Sequence, residues 1–166
     1  MLKEPRPPRS VLALTGEIVA ARSAQDLPIL SVVTQSYYED GAVREKMAGT
    51  VQARVRRQLP TAFDPNGGSL VLQLTLVLLN GVAAGAFDAA TAERGQPVAD
   101  RLARCRLWWR LRRRRAASGA DTPLPPISTG LAAQIAGHAR RLARRCGMSE
   151  ADASRYATEL VAALTD

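Results

Sequence analysis

Arginine is the residue type whose clustering in this sequence could do chemistry. Eight arginines and no acidic residue lie within residues 101–115: Arg101, Arg104, Arg106, Arg110, Arg112, Arg113, Arg114 and Arg115. A guanidinium is permanently charged and carries N–H donors that match phosphate oxygens. Trp108 lies among them, where an indole ring could stack on a base or lie at a membrane interface. The block predicts contact with a polyanion, and a solvated helix face is the alternative.

The whole chain carries the same positive bias. Its 166 residues include 23 basic and 15 acidic side chains, which gives a net charge of +8 and a pI near 10.7. Such a balance draws a protein toward nucleic acid or an anionic membrane surface. Lysine occurs only at Lys3 and Lys46, and a GC-rich genome can also produce that preference for arginine.

Residues for catalysis or metal binding are few. His138 is the only histidine, and it falls on an arginine-rich segment without a paired serine, cysteine or carboxylate motif. Cys105 and Cys146 are far apart and lack the spacing of a zinc site or a disulfide scaffold. No phosphate-binding loop, dinucleotide fingerprint or hydrolase motif occurs. We therefore expect no enzyme activity, no cofactor and no metal, and a reducing cytoplasm as the location.

Composition favours an all-α fold. Aromatic residues make up only 4% of the chain and hydrophobic residues 46%, so the core must consist mostly of Leu, Val, Ile and Ala. We predict a small helical bundle with a central apolar helix and a C-terminal helical hairpin. The predicted parts are a basic tail (1–10), a helical domain (11–116), a linker (117–130) and the hairpin (131–166).

Within the domain, the first half reads as short helices. Ser10 or Thr15 can cap a helix that continues to about Ser23, before Asp26 and Pro28 interrupt it. Residues 29–34 are a β-branched apolar run that fits a strand or a buried helical turn equally well. Residues 42–59 place apolar side chains at four-residue spacing, which predicts an amphipathic helix.

An uncharged segment is the most apolar part of the chain. Residues 69–87 are nineteen residues rich in Leu, Val and Ala, with Gln73 and Asn80 seven apart on one helical face. The segment predicts a helix enclosed by a bundle, a membrane span or, because leucines alternate, a strand. A helix over 93–116 follows, on which Val98, Leu102, Cys105 and Trp109 form an apolar stripe beside the arginines.

The C-terminal hairpin is defined by its turn. Three prolines in the linker precede Ser128 and Thr129, either of which can cap the first helix. Gly147 is placed to end that helix in a left-handed conformation, and Ser149 can cap the second with Asp152 in the reciprocal position. A unit of about 36 residues is too small to stand alone, so it must dock on the remainder of the chain or on a partner.

The hairpin sequence LARRCGMSEADASRYATEL resembles the helix-turn-helix of bacterial DNA-binding proteins. The resemblance covers about one eighth of the chain and rests on Ala143, Cys146, Gly147, Met148 and Tyr156. It implies a second helix that enters the major groove.

That resemblance assigns provisional roles to six residues. The residues that would face DNA are Ser149, Ser154, Arg155 and Thr158, and those near phosphates would be Arg144 and Arg145. A hairpin that only packs against the bundle remains the alternative.

Three functions are compatible with these features. The leading prediction is a basic, mainly helical nucleic-acid-binding protein of a bacterial cytoplasm. The second is a small membrane-associated protein, anchored in the inner membrane by residues 69–87, whose arginines meet anionic headgroups. The third is a helical adaptor for an acidic protein partner. Self-association as a homo-oligomer is open in each case.

Overall fold

Helices form every regular element in the part of the chain that the computed structural model describes, which is residues 9–57, 69–85 and 119–165. Those ranges contain six α-helices and a short 3-10 turn, and they contain no strand. The prediction of an all-α small bundle is therefore confirmed. Residues 1–8 of the basic tail and the whole arginine-rich segment 93–116 lie outside the described residues.

Helix α1 (Val11–Arg22) begins where the sequence predicts. The hydroxyl of Ser10 accepts a hydrogen bond from the amide of Ala13 at 3.2 Å and so caps the helix. Leu14 and Ile18 follow at helical spacing and are buried. The helix ends before Ser23, and the 3-10 turn (Ala24–Asp26) leads directly into the next helix.

Helix α2 (Leu27–Glu39) includes residues 29–34, so the strand alternative for that run is wrong. Pro28 lies in the first turn, where its missing N–H costs no helical hydrogen bond. Val33 and Tyr37 are buried four residues apart, whereas Val32 is 64% exposed. Burial at helical spacing, rather than at alternate positions, decided the conformation of this β-branched run.

Helix α3 (Gly41–Arg57) follows at once. The Asp40 carboxylate accepts a hydrogen bond from the amide of Ala42 at 2.8 Å. Met47 and Val51 of the predicted apolar stripe are buried, which confirms the amphipathic helix.

Helix α4 (Leu70–Ala83) is the central element. Every residue from 72 to 82 is buried, and α1 and α3 both pack against it. A helix that is apolar around its circumference must be enclosed in this way. The predicted central helix is confirmed and the strand alternative is wrong. None of the helices in ranges 9–57, 69–85 and 119–165 combines the length and apolar character that crossing a bilayer requires.

Helix α4 ends nearer to its N-terminus than the sequence predicts. Helix α4 stops at Ala83 rather than at residue 87, because Gly85 adopts a φ of +66° and Ala84 acts as the C-cap. Glycine enters this left-handed region without steric cost and commonly ends helices. Residues 86 and 87 lie outside the described part of the chain.

Helices α5 (Thr129–Arg145) and α6 (Glu150–Thr165) form the C-terminal hairpin. Gly147 has a φ of +99°, the amide of Met148 donates to the carbonyl of Ala143, and the amide of Gly147 donates to the carbonyl of Arg144. These two bonds constitute a complete Schellman motif, so the predicted left-handed cap is confirmed. Ser149 caps α6 by accepting from the amide of Asp152 at 3.1 Å.

The hairpin docks on the other helices. Helix α6 packs on α1, and α5 packs on α3. The hydroxyls of Thr75 on α4 and Tyr156 on α6 are both buried and lie 3.0 Å apart. Burial holds the pKa of Tyr156 well above its usual range, so the phenol remains a neutral hydrogen-bonding group.

The segment before the hairpin packs on the start of α1. The amide of Leu12 donates to the carbonyl of Ala120 at 3.0 Å, and the amide of Leu124 donates to the carbonyl of Arg9 at 2.9 Å. Leu124 is itself buried. Helix α5 begins at Thr129, two residues before the predicted start of the hairpin at 131, because Ser128 supplies the cap.

Candidate functional site

The outward side of α5 is a continuous arginine surface. Ile135, Ala139 and Leu142 are buried on the side that faces the bundle. The exposed side carries four arginines: Arg140, Arg141, Arg144 and Arg145. At about 100° per residue these four positions span about 140° of the helix circumference, so they form one surface. We call these four residues the arginine face.

One carboxylate bridges two members of the arginine face. Arg140 donates from Nε to Oε1 of Glu150 at 2.6 Å and also contacts the same oxygen through Nη2. Nε of Arg144 lies 2.9 Å from Oε2 of Glu150. The hydrogen bond from Arg140 is the main cause that holds the pKa of Glu150 below its usual range, so the carboxylate is ionised at neutral pH.

The other two members of the arginine face differ in their surroundings. A guanidinium nitrogen of Arg141 lies 3.3 Å from Nδ1 of the half-buried His138. Arg145 is exposed and makes no salt bridge to another described residue. At the C-terminal end of α5, Arg144 is therefore paired with Glu150, whereas Arg145 faces solvent without a carboxylate partner among the described residues.

The outward side of α6 carries the residues that the helix-turn-helix resemblance assigns to DNA. Arg155 and Thr158 are exposed and Ser154 is half-buried, and the three lie within about 100° of the helix circumference. The hydroxyl of Thr158 donates to the carbonyl of Ser154 at 3.0 Å, and Ser149 donates to the carboxylate of Asp152 at 2.7 Å. Both hydroxyls already have internal acceptors, whereas Arg155 has no salt bridge among the described residues.

One arginine that the sequence did not single out forms ion pairs with two acidic residues of α6. Arg22, at the C-terminal end of α1, lies 3.2 Å from the carboxylate of Glu159 and 3.5 Å from that of Asp152. Its side chain is only 14% exposed. These partners are more than 100 residues away in the chain, so no local pattern could have indicated them.

A cleft of about 380 Å³ lies where α1, α4 and the hairpin turn meet. Of the described residues that line it, Arg22 and Asp152 alone are charged, and they are paired with each other. The cleft is therefore electrostatically balanced, and the arginine face is the strongest candidate for binding.

Potential metal ligands do not cluster in the described part of the chain. No group of three or more His, Cys, Asp or Glu side chains within those ranges is placed to hold a metal ion. Cys146 is buried in the core, and its thiol donates to the carbonyl of Val51 at 3.8 Å.

The predicted binding residues thus divide into two groups. The structure places Arg144, Arg145, Ser149, Ser154, Arg155 and Thr158 on the outer side of one hairpin. The eight arginines of residues 101–115 and Trp108 lie outside the described residues.

Comparison of the chain with protein-family models, with curated proteins and with solved structures finds no match in any of the three. The assignment of a function therefore rests on the chemistry of the hairpin.

Proposed function

We propose that this protein binds the phosphate backbone of duplex nucleic acid through the arginine face of α5. The observation that carries the proposal is the placement of four exposed arginines on one side of a helix whose other side is buried. Because the helix is fixed to the bundle, these guanidinium groups are arranged before any ligand arrives.

The distribution of ion pairs supports a net positive hairpin surface. Helices α5 and α6 together carry five arginines and three acidic residues: Arg140, Arg141, Arg144, Arg145, Arg155, Glu150, Asp152 and Glu159. Two of the acids, Asp152 and Glu159, are paired with Arg22 of α1 rather than with the arginine face. Among the described acidic residues, Glu150 alone forms salt bridges with that face, so the described part of the chain sets one carboxylate against four arginines there. This excess of positive charge favours contact with phosphate.

The proposal also includes recognition of DNA bases by side chains of α6. Arg155 extends from the exposed side of α6 and forms no salt bridge with another described residue, which suits a side chain that pairs with a guanine edge. The hydroxyls of Ser149 and Thr158 have internal acceptors and contribute less. We therefore expect backbone contacts to supply most of the affinity and any sequence preference to depend on Arg155.

Fluorescence anisotropy of a labelled duplex, titrated with the full chain over a series of salt concentrations, tests the proposal. The variant Arg145→Gln should weaken binding at about 0.1 M salt by roughly threefold to tenfold and reduce the salt slope by about one unit. The matched control is Lys46→Gln, which removes the same charge from an exposed position on α3. It should change both quantities much less.

Equal effects of the two variants would mean that only net charge matters, which would contradict an interface on α5. No binding to any duplex at about 50 mM salt would refute nucleic-acid binding altogether, because backbone contacts are strongest there. Equal affinity for polyglutamate would instead favour the adaptor with an acidic protein partner. The proposal includes the cytoplasmic location predicted from the sequence. It also includes a contribution of residues 101–115 to nucleic-acid binding.

A further inference from the structure

Glu150 occupies a position that a phosphate group could take. Its Oε1 is held by Arg140 and its Oε2 by Arg144, so each oxygen of one carboxylate meets a different guanidinium. The two non-bridging oxygens of a phosphodiester have a similar spacing and the same need for charged N–H donors. The arrangement is therefore a two-guanidinium anion site with an internal anion in it.

The helix backbone and one hydrogen bond position the two arginines of this site. Arg140 and Arg144 are one helical turn apart on α5, and Arg144 also donates to the carbonyl of Met148 at 3.3 Å. Met148 belongs to the Schellman turn that fixes the end of α5. Arg144 would therefore keep this contact if the carboxylate left, and Arg140 would remain one helical turn away on the same side of α5.

Apart from the two arginines, few contacts hold the Glu150 side chain. Glu150 is the first residue of α6, its side chain is about half exposed, and its other side-chain contact is a long hydrogen bond of 3.4 Å from Ser154. Rotation about its side-chain bonds would carry the carboxylate into solvent without disturbing the cap, because Ser149 supplies the cap of α6.

We propose that Arg140 and Arg144 form a phosphate subsite of the nucleic-acid interface and that Glu150 is its built-in competitor. This inference rests on the proposed function. A backbone phosphate must displace the carboxylate to reach both arginines, so Glu150 lowers affinity and removes one phosphate contact from the unperturbed complex. Arg145, which forms no salt bridge with another described residue, provides the first contact with the duplex.

The test compares Glu150→Gln with Glu45→Gln by anisotropy of a labelled duplex. Both variants raise the net charge by one, and Glu45 is exposed on α3, outside the helices of the hairpin. Glu150→Gln should tighten binding at about 50 mM salt by roughly fivefold to tenfold and make the salt slope steeper by about 0.9, as one added phosphate contact requires. Glu45→Gln should change affinity by less than about twofold. Glu150→Ala should behave like Glu150→Gln, and circular dichroism should show both folded.

Replacing Arg140 and Arg144 together by Gln should abolish the gain in the Glu150→Gln background and have a smaller effect in the presence of Glu150. Equal gains from Glu150→Gln and Glu45→Gln, with binding by the unaltered chain, would overturn the subsite and leave the proposed function standing. An equal effect of the double arginine variant in both backgrounds would overturn the competitor role. Failure of the unaltered chain and of Glu150→Gln to bind any duplex would overturn both proposals.

Discussion

Replacing Tyr156 by Phe removes a single hydroxyl from the junction between α4 and the hairpin. Tyr156 and Thr75 are both fully buried, and their hydroxyl oxygens lie 3.0 Å apart. The ring would stay in place, so the packing of α6 should be retained. The hydroxyl of Thr75 would lose this partner in a place that water does not reach, which costs about 1–3 kcal/mol.

The reciprocal change, Thr75→Val, should cost a similar amount, because it leaves the phenol of Tyr156 without its partner. Replacing both residues removes donor and acceptor together, so the double variant should be less destabilised than the sum of the two single changes by about 1–2 kcal/mol. Urea denaturation gives these free energies, and the slope with denaturant should stay constant. For a chain of this size each single change should lower Tm by about 2–12 °C, at about 2–4 °C for each kcal/mol lost.

Thr50→Val on α3 is the control for the loss of a helical threonine hydroxyl. The hydroxyl of Thr50 bonds only to the carbonyl of Lys46 in its own helix, so the change should stay within about 0.5 kcal/mol. Strictly additive losses from Thr75→Val and Tyr156→Phe would refute the reasoning, because they would show that the two hydroxyls do not stabilise each other. Because Tyr156 is buried and is not part of the arginine face, the salt slope of duplex binding should not change while the variant is folded.

Two further changes test the supports of the hairpin, each measured by thermal unfolding. Gly147→Ala should lower the stability of the protein by about 1–2 kcal/mol, because alanine resists the φ of +99° at this turn. The control is Gly130→Ala in α5, where an added methyl group meets no atom within 4 Å, and this change should stabilise the protein. Arg22→Gln should cost about 1 kcal/mol, because a largely buried guanidinium that pairs with two carboxylates is lost; Arg155→Gln, the same change at an exposed position, should be neutral, and equal losses would argue against these ion pairs.

Local chemistry made much of the fold predictable. The caps at Ser10 and Ser149 and the left-handed turn at Gly147 depend on residues within five positions of each other, and all three are found in the structure. The apolar character of α4 was enough to predict a central helix. Its early end was not, because two glycines near its C-terminal end, Gly81 and Gly85, offer alternative places to stop, and only the second adopts a positive φ.

Other features depended on contacts between distant segments. The run 29–34 satisfies helix and strand propensities equally, and the burial of Val33 and Tyr37 against the bundle selected the helix. The pairing of Arg22 with α6 joins two ends of the chain, and the sequence contains no periodicity that links them. Such choices are made by tertiary packing, which overrides local propensity.

The ion pairs of Arg22 reduce the electrostatic effect of the acidic residues of α6 on nucleic-acid binding. From the sequence, Glu150, Asp152 and Glu159 make the second helix of the hairpin acidic, which argues against contact with DNA. In the folded chain Asp152 and Glu159 both lie beside Arg22 of α1, whose single positive charge compensates part of their negative charge. Only Glu150 remains on the side of the arginine face, where it lies between two guanidinium groups. Because electrostatic binding depends on uncompensated charge at the surface rather than on composition, the helix that looks unsuitable in the sequence becomes compatible with a phosphate backbone once it is packed on α1.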